Sequence, residues 1–347
     1  MKKLSILMLN ALVVGSSFAQ TAAPVEASAP AVETPAPSKT YSNESKLTDL
    51  MYFPAANTIS AATVFTATSG EQEYEYLGKE LFTAKTTSSD LTQHLGYTFS
   101  PDWRAGVSVG YQLGSEVKTS YGAASNINGT SVKTKDDKGI EDPTIFVSSR
   151  LTRQETSLFN VDLTAKFSPK IGDAESATQT KEGNGYRGGS SFELLGEMGK
   201  KYNDSSWKLS LSIENFGKRE SASADLATDI SKTDAYTVVT FGYVYQWIIN
   251  PTFGINLGGA IGGLSEMEMT NSTQQEKNVL DSGTFVSYGV NFLISASPSL
   301  LFDIGLSGMS VTGQDLKSTD TSTNTTVNVD SESSTAGVLT LAAKYEF

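Results

Sequence analysis

Trp103-Arg104-Ala105-Gly106-Val107-Ser108-Val109-Gly110-Tyr111-Gln112-Leu113 alternates without a break between apolar residues and small or polar ones. Phe159-Asn160-Val161-Asp162-Leu163-Thr164-Ala165-Lys166-Phe167 does the same, as does Trp207-Lys208-Leu209-Ser210-Leu211-Ser212-Ile213-Glu214. In an extended chain successive side chains point to opposite faces, so each stretch has one greasy face and one wet face. A helix would need apolar residues every three or four positions, and these stretches lack that period.

Working outward, candidate strands of this kind fall near 58–70, 89–100, 103–115, 142–152, 158–169, 190–202, 207–217, 235–249, 252–264, 284–296, 300–312 and 336–347. Their connections alternate in length. Short turns at 100–102, 153–156, 203–205, 250–251 and 297–299 follow every second strand. Long Ser/Thr/Asn/Asp/Gly-rich loops occupy 71–88, 116–141, 170–189, 218–234, 265–283 and 313–335. Short periplasmic turns with long external loops are the pattern of an outer-membrane barrel. The expectation is therefore all-β: a transmembrane antiparallel up-and-down β-barrel of about twelve strands, with both chain ends on the periplasmic side.

A soluble β-sandwich or a lipocalin-like barrel also alternates. Against it stand the bulky aromatics gathered beside the short turns: Tyr97, Phe99 and Trp103, then Tyr202 and Trp207, then Trp247 and Phe253, and finally Tyr345 and Phe347. Half-wet rings belong at a lipid–water interface. This belt puts lipid against the apolar face and encloses the polar face in a lumen.

Composition narrows the function. The chain of 347 residues has no Cys, one His and a net charge of −12. The missing Cys excludes disulfides, Cys-based zinc sites and thiol nucleophiles. Nucleic acid is excluded as a partner because phosphate binding needs clustered Lys and Arg. Met1-Lys2-Lys3, the apolar run 4–14 and Ser17-Phe18-Ala19 read as a signal peptide over 1–19, which directs the chain across the inner membrane towards the cell outer membrane. Residues 20–40 are Pro/Ala-rich and should form a disordered tether. In 41–56, Leu47, Leu50, Met51, Tyr52 and Phe53 form an apolar cluster, expected as a short helix capped by Ser42 or Asn43 and ended by Pro54. That segment could fold back as a periplasmic plug against the barrel of 57–347.

The last strand, Gly337-Val338-Leu339-Thr340-Leu341-Ala342-Ala343-Lys344-Tyr345-Glu346-Phe347, resembles the C-terminal insertion signal of bacterial outer-membrane proteins. The resemblance implies an outer-membrane location and the barrel-assembly machinery as a partner during insertion. Gly139-Ile140-Glu141-Asp142-Pro143-Thr144 is similar to the Gly-Leu-Gly-Asp-Pro/Leu signature of the MetA-type phenol-degradation outer-membrane family, with Glu141 where the second Gly is usual. This second resemblance covers about a dozen residues and implies a barrel that passes small or partly apolar solutes.

Function should reside in the lumen. Arg150, Asp162, Lys166, Glu193, Glu197, Lys208, Glu214 and Asp303 are expected to line it, with a wall of small residues at Gly254, Gly258, Gly262, Gly289 and Gly305. Twelve tilted strands give a backbone diameter of roughly 24 Å and an opening on the order of 10 Å. Two readings compete: a charged wall facing an empty low wall across which solute passes, or a closed barrel whose charges pair across strands. Other motifs carry less. Gly183-Asn184-Gly185-Tyr186-Arg187-Gly188 fits GxGxxG but precedes a strand, so its glycines are turn residues. His94 should point to the lumen, without a matching Ser at Thr92 or Gly96 for hydrolysis. Asp136, Asp137 and Asp142, like Glu71, Glu73 and Glu75, lack EF-hand spacing and read as solvated loop charge, with divalent cations able to bridge them to lipopolysaccharide. The expected function is an outer-membrane channel for passive or weakly selective diffusion of small solutes, with no catalysis, cofactor or metal. A structural or adhesive barrel with a closed lumen is the alternative, and a membrane-embedded lipid hydrolase using His94 comes third.

Overall fold

The computed structural model describes residues 49–125, 129–226, 228–271, 273, 275–331 and 334–347. The signal peptide, the tether, Ser42, Asn43 and Leu47 lie outside them. Twelve strands form the barrel: β1 Thr58–Tyr76, β2 Lys79–Ser100, β3 Trp103–Tyr121, β4 Thr144–Thr152, β5 Asn160–Ser168, β6 Ser191–Lys201, β7 Ser205–Phe216, β8 Tyr236–Asn250, β9 Phe253–Leu264, β10 Gly283–Ser297, β11 Leu300–Val311 and β12 Ser334–Glu346. Each pairs antiparallel with its neighbours in chain order, and β12 returns to β1 over Ser60↔Glu346 to Glu71↔Thr335. The ladder closes further as Ile59 and Phe347 exchange backbone hydrogen bonds. Closure removes the open edge that a sheet cannot expose to lipid.

The alternation sets the two faces. On β8, Val239, Phe241, Tyr243, Tyr245 and Trp247 point out and are exposed, while the side chains of Val238, Gln246 and Ile248 point in and are buried. Trp247 is 61% exposed, as befits a residue whose solvent is lipid. Beside the short turns, Phe159 packs edge-on against Trp207 at 5.6 Å, and the Lys200 ammonium lies over both Phe159 and Tyr202. Rings with a cation at their wet edge suit the interface.

Each of the long connections contains strand among its described residues. Residues 71–88 continue β1 and β2 as one ribbon whose tip, Leu77-Gly78, takes positive φ at both positions, the type I′ geometry that matches strand twist. Beyond β3, short strands at Ser131–Lys133, Asp137–Ile140, Ala174–Ser176 and Gly183–Asn184 build on the external side. Strands at Arg219–Ser223, Ile230–Thr233, Met267–Asn271, Glu276–Leu280, Leu316–Asp320 and Thr325–Ser331 pair into a second sheet there. Together these make an external collar. Its inner face is apolar: Tyr74, Met267, Met269, Leu280, Leu316 and Val329 form one buried cluster with Phe285 and Val311 of the barrel. Outside it, ion pairs such as Lys277–Glu268 at 2.6 Å and Lys317–Asp281 at 2.9 Å face water.

Candidate functional site: the barrel lumen

The periplasmic end of the lumen has a floor. Arg150 and Asp162 are direct cross-strand partners on β4 and β5, joined by two bonds, Nε to Oδ1 at 2.7 Å and Nη2 to Oδ2 at 2.8 Å. The Arg150 side chain is 1% exposed, so the two-pronged geometry is what keeps both charges satisfied away from water. Arg150 also lies over the Phe53 ring at 5.1 Å and donates to the Met51 carbonyl. The Tyr52 hydroxyl donates to Glu346 at 2.7 Å, and Lys201 pairs with Asp49 at 3.8 Å. Tyr52 and Phe53 pack against Leu293 of β10 and Leu301 of β11. Residues 49–54 thus sit inside the barrel mouth. Instead of the expected helix, the described part of the segment is a turn, in which the Asp49 carboxylate accepts from the Met51 amide at 2.9 Å.

Above this floor is a cavity of about 670 Å³. Lys166, Glu193, Glu197, Lys208 and Glu214 line it. The charges are mostly matched in pairs: Lys166–Glu193 at 2.9 Å and Lys208–Glu197 at 2.6 Å. Arg150 and Asp162 do not line the cavity, because they are spent on the floor. Asp303 lies elsewhere again, held by Lys344 at 2.8 Å and Asn291 at 2.7 Å on the wall expected to be bare. At its outer end the cavity reaches the exposed Glu175.

The small-residue wall requires a correction. Gly254, Gly258, Gly262, Gly289 and Gly305 leave no empty space and are not among the residues lining the cavity. Their cross-strand partners fold over them. A Cβ on Gly262 would fall 2.2 Å from the Phe285 ring, and one on Gly305 would fall 3.0 Å from the Asn291 amide. Gly254 is covered by Ile248 and Leu293, Gly258 by Val244, and Gly289 by Ser307. A low wall in a packed lumen attracts large neighbours, because an empty groove forfeits their contacts.

Residues that the sequence reading did not place in the lumen complete the site. Arg219 stacks against Phe216 at 4.6 Å and Tyr236 at 5.3 Å and donates to the Tyr236 hydroxyl at 2.9 Å. Arg187 donates to Ser168 at 3.3 Å, and Asp90 and Glu141 face the cavity. His94 does point inward, and its Nδ1 meets Ser108 Oγ at 2.6 Å. That Ser comes from the adjacent strand, directly opposite His94, so the β2–β3 hairpin register was the signal that could have found it.

The external acidic residues act as staples. The Asp142 carboxylate accepts from the Ile171 and Arg187 amides at 3.0 and 2.9 Å, and Asp137 accepts from the Ala177 amide at 2.7 Å. Burial pushes the Asp137 carboxyl up to about 6, against the pull of that amide bond. The GxGxxG stretch lies in the same region. Gly183-Asn184 pairs parallel with Asp137-Lys138, and Gly188 turns with φ +72 where a Cβ would meet the Glu220 carbonyl at 2.0 Å. This is a glycine turn next to a strand, without the helix a dinucleotide site requires.

Solved structures share this architecture. The COG4313 outer membrane channel from Pseudomonas putida F1 superposes with a TM-score of 0.50 at 11% identity, covering 90% of this chain and 100% of that one. The transport unit of the autotransporter AIDA-I from Escherichia coli gives a TM-score of 0.50 at 12% identity, covering 84% of this chain and 90% of that one. The fold is that of a bacterial outer-membrane barrel. At such identities the likeness speaks for the fold alone. No family model and no curated protein sequence matches the chain.

Proposed function

We propose that the protein is an outer-membrane channel for passive or weakly selective diffusion of small solutes, gated at its periplasmic end by residues 49–54. The observation that carries this reading is the cavity of about 670 Å³, polar on one wall, reaching exposed Glu175 outside and stopping at the Arg150–Asp162 floor inside. A volume of that size holds a solute of sugar or amino-acid dimensions. The lipid bilayer and lipopolysaccharide surround the barrel in this reading, and the assembly machinery inserts it through β12.

The full chain reconstituted in a planar bilayer should give discrete conductance steps that grow when residues 41–56 are deleted. Silence from both forms would favour the second reading, a structural or adhesive barrel. The packed collar and the paired lumen charges support that alternative.

A further inference from the structure

The lumen charges are paired but not balanced. Lys166 and Lys208 are each taken by a glutamate. Asp90, Glu141 and Glu214 also line the cavity, and none of the three forms an ion pair among the described residues. The remaining cations there, Arg187 and Arg219, hydrogen-bond to Ser168 and stack on the Phe216–Tyr236 rings and keep their charge. But Asp137, Asp142 and Glu175 line the cavity too, so eight carboxylates face four cations among the described residues.

The placement of these carboxylates is specific. Glu141 stands where the resembling signature has glycine, and its side chain lies on the bare backbone of Gly110. A Cβ there would fall 1.8 Å from Glu141 Oε2. Gly110 pairs with Thr92, two residues from Asp90, so both carboxylates face the lumen, Asp90 from β2 and Glu141 from the stretch just before β4, whose amide bonds the Gly110 carbonyl. Across the cavity, Glu214 is the direct cross-strand partner of Glu193, and only Glu193 has a lysine. Like charges directly opposite on a ladder are destabilising. A mobile cation in the lumen relieves that cost, whereas an anion adds to it.

We propose that the lumen admits small cations in preference to anions, and that Asp90, Glu141 and Glu214 set this preference. The inference rests on the channel reading. Charged clefts with low-dielectric walls reach potentials of several kT. Even one kT of negative potential enriches monovalent cations over anions about sevenfold, from the Boltzmann factors of the two signs.

The test is the reversal potential of the full chain in a planar bilayer under a KCl gradient, repeated for the isosteric variants E141Q, E214Q and D90N/E141Q/E214Q. The expected result is K⁺ favoured over Cl⁻ by about sevenfold, falling in each single variant and approaching unity in the triple one. If the triple variant does not insert, the two single variants carry the comparison. Steps without cation preference overturn the proposal and leave the channel reading standing. A preference that survives the substitutions overturns the assignment to these residues. Absence of steps overturns the channel reading and the proposal with it.

Discussion

Phe53→Ala is the most direct probe of the periplasmic floor. Leu50, Met51, Tyr52 and Phe53 are all buried, and burying such side chains contributes about 1.5–3 kcal/mol each. Fixing the backbone of the short segment costs about 1–2 kcal/mol per residue. Over residues 49–54 the two sums nearly cancel, so the segment is held in the mouth by only a few kcal/mol. The Phe53 ring packs on Leu293 and Leu301 and lies under the Arg150 guanidinium. Truncating it should remove about 3 kcal/mol, which shifts the closed-to-open ratio roughly 100-fold at about 1.4 kcal/mol per decade. Single-channel recording should show long closed dwells in the natural chain and predominantly open traces in F53A. Urea unfolding of the barrel should weaken by no more than the same about 3 kcal/mol, because its ladders are untouched. An unchanged open fraction in F53A, together with unchanged conductance after deletion of 41–56, would refute the idea that this segment closes anything.

Three further outcomes are expected. Arg150→Met strands the Asp162 carboxylate in the floor and should cost about 3–5 kcal/mol in urea unfolding, most of which R150M/D162L should restore. Leu257→Arg puts a charge on an exposed position of β9 that faces lipid, and should cost about 2–4 kcal/mol for the barrel folded in vesicles, yet little when it is held in a charged detergent. The third concerns pH. The Asp137 carboxyl sits near 6 in the folded collar against 3.8 in the open chain. Folding therefore favours its protonated form, so its contribution is fully present below about pH 3.8 and lost as pH rises through about 6, up to about 3 kcal/mol in total. Amide-exchange protection around Ala177 should be higher at pH 5 than at pH 7.5, and Asp137→Asn should flatten that difference.

The twelve strands were legible because lipid imposes a uniform demand on them. Every outward position from Trp103 to Leu113 must be apolar, and the inward positions need not be. The collar was not legible for the same physical reason run in reverse. Beyond the lipid the outer face meets water, so the apolar residues move to the inner face of the same ribbon. On β1 the outward Ile59 is apolar and the inward Ser60 polar, whereas higher up the inward Tyr74 is buried and the outward Glu71 pairs with Lys85 at 2.8 Å. A search for grease on the outward parity loses the strand where the sign changes, and 71–88 then reads as a loop.

The lumen shows a different limit. Arg150–Asp162 and Lys208–Glu197 could be foreseen as pairs, since each joins positions on opposite arms of one short hairpin whose register the turn fixes. His94–Ser108 was open to the same arithmetic. What pattern alone could not reveal is how far a side chain travels along the wall. Phe285 covers Gly262 and Glu141 covers Gly110, so a glycine in the lumen marks the place where a neighbour's side chain arrives and not a void. The electrostatics follow from that rule. Glu141 reaches the lumen only because Gly110 offers bare backbone, so enlarging Gly110 should push the carboxylate away from Asp90. Gly110→Ala should therefore weaken cation preference in the bilayer as E141Q does, without changing a single lumen charge. A G110A channel as selective as the natural one would show that Glu141 acts from somewhere other than the place its carboxylate now occupies.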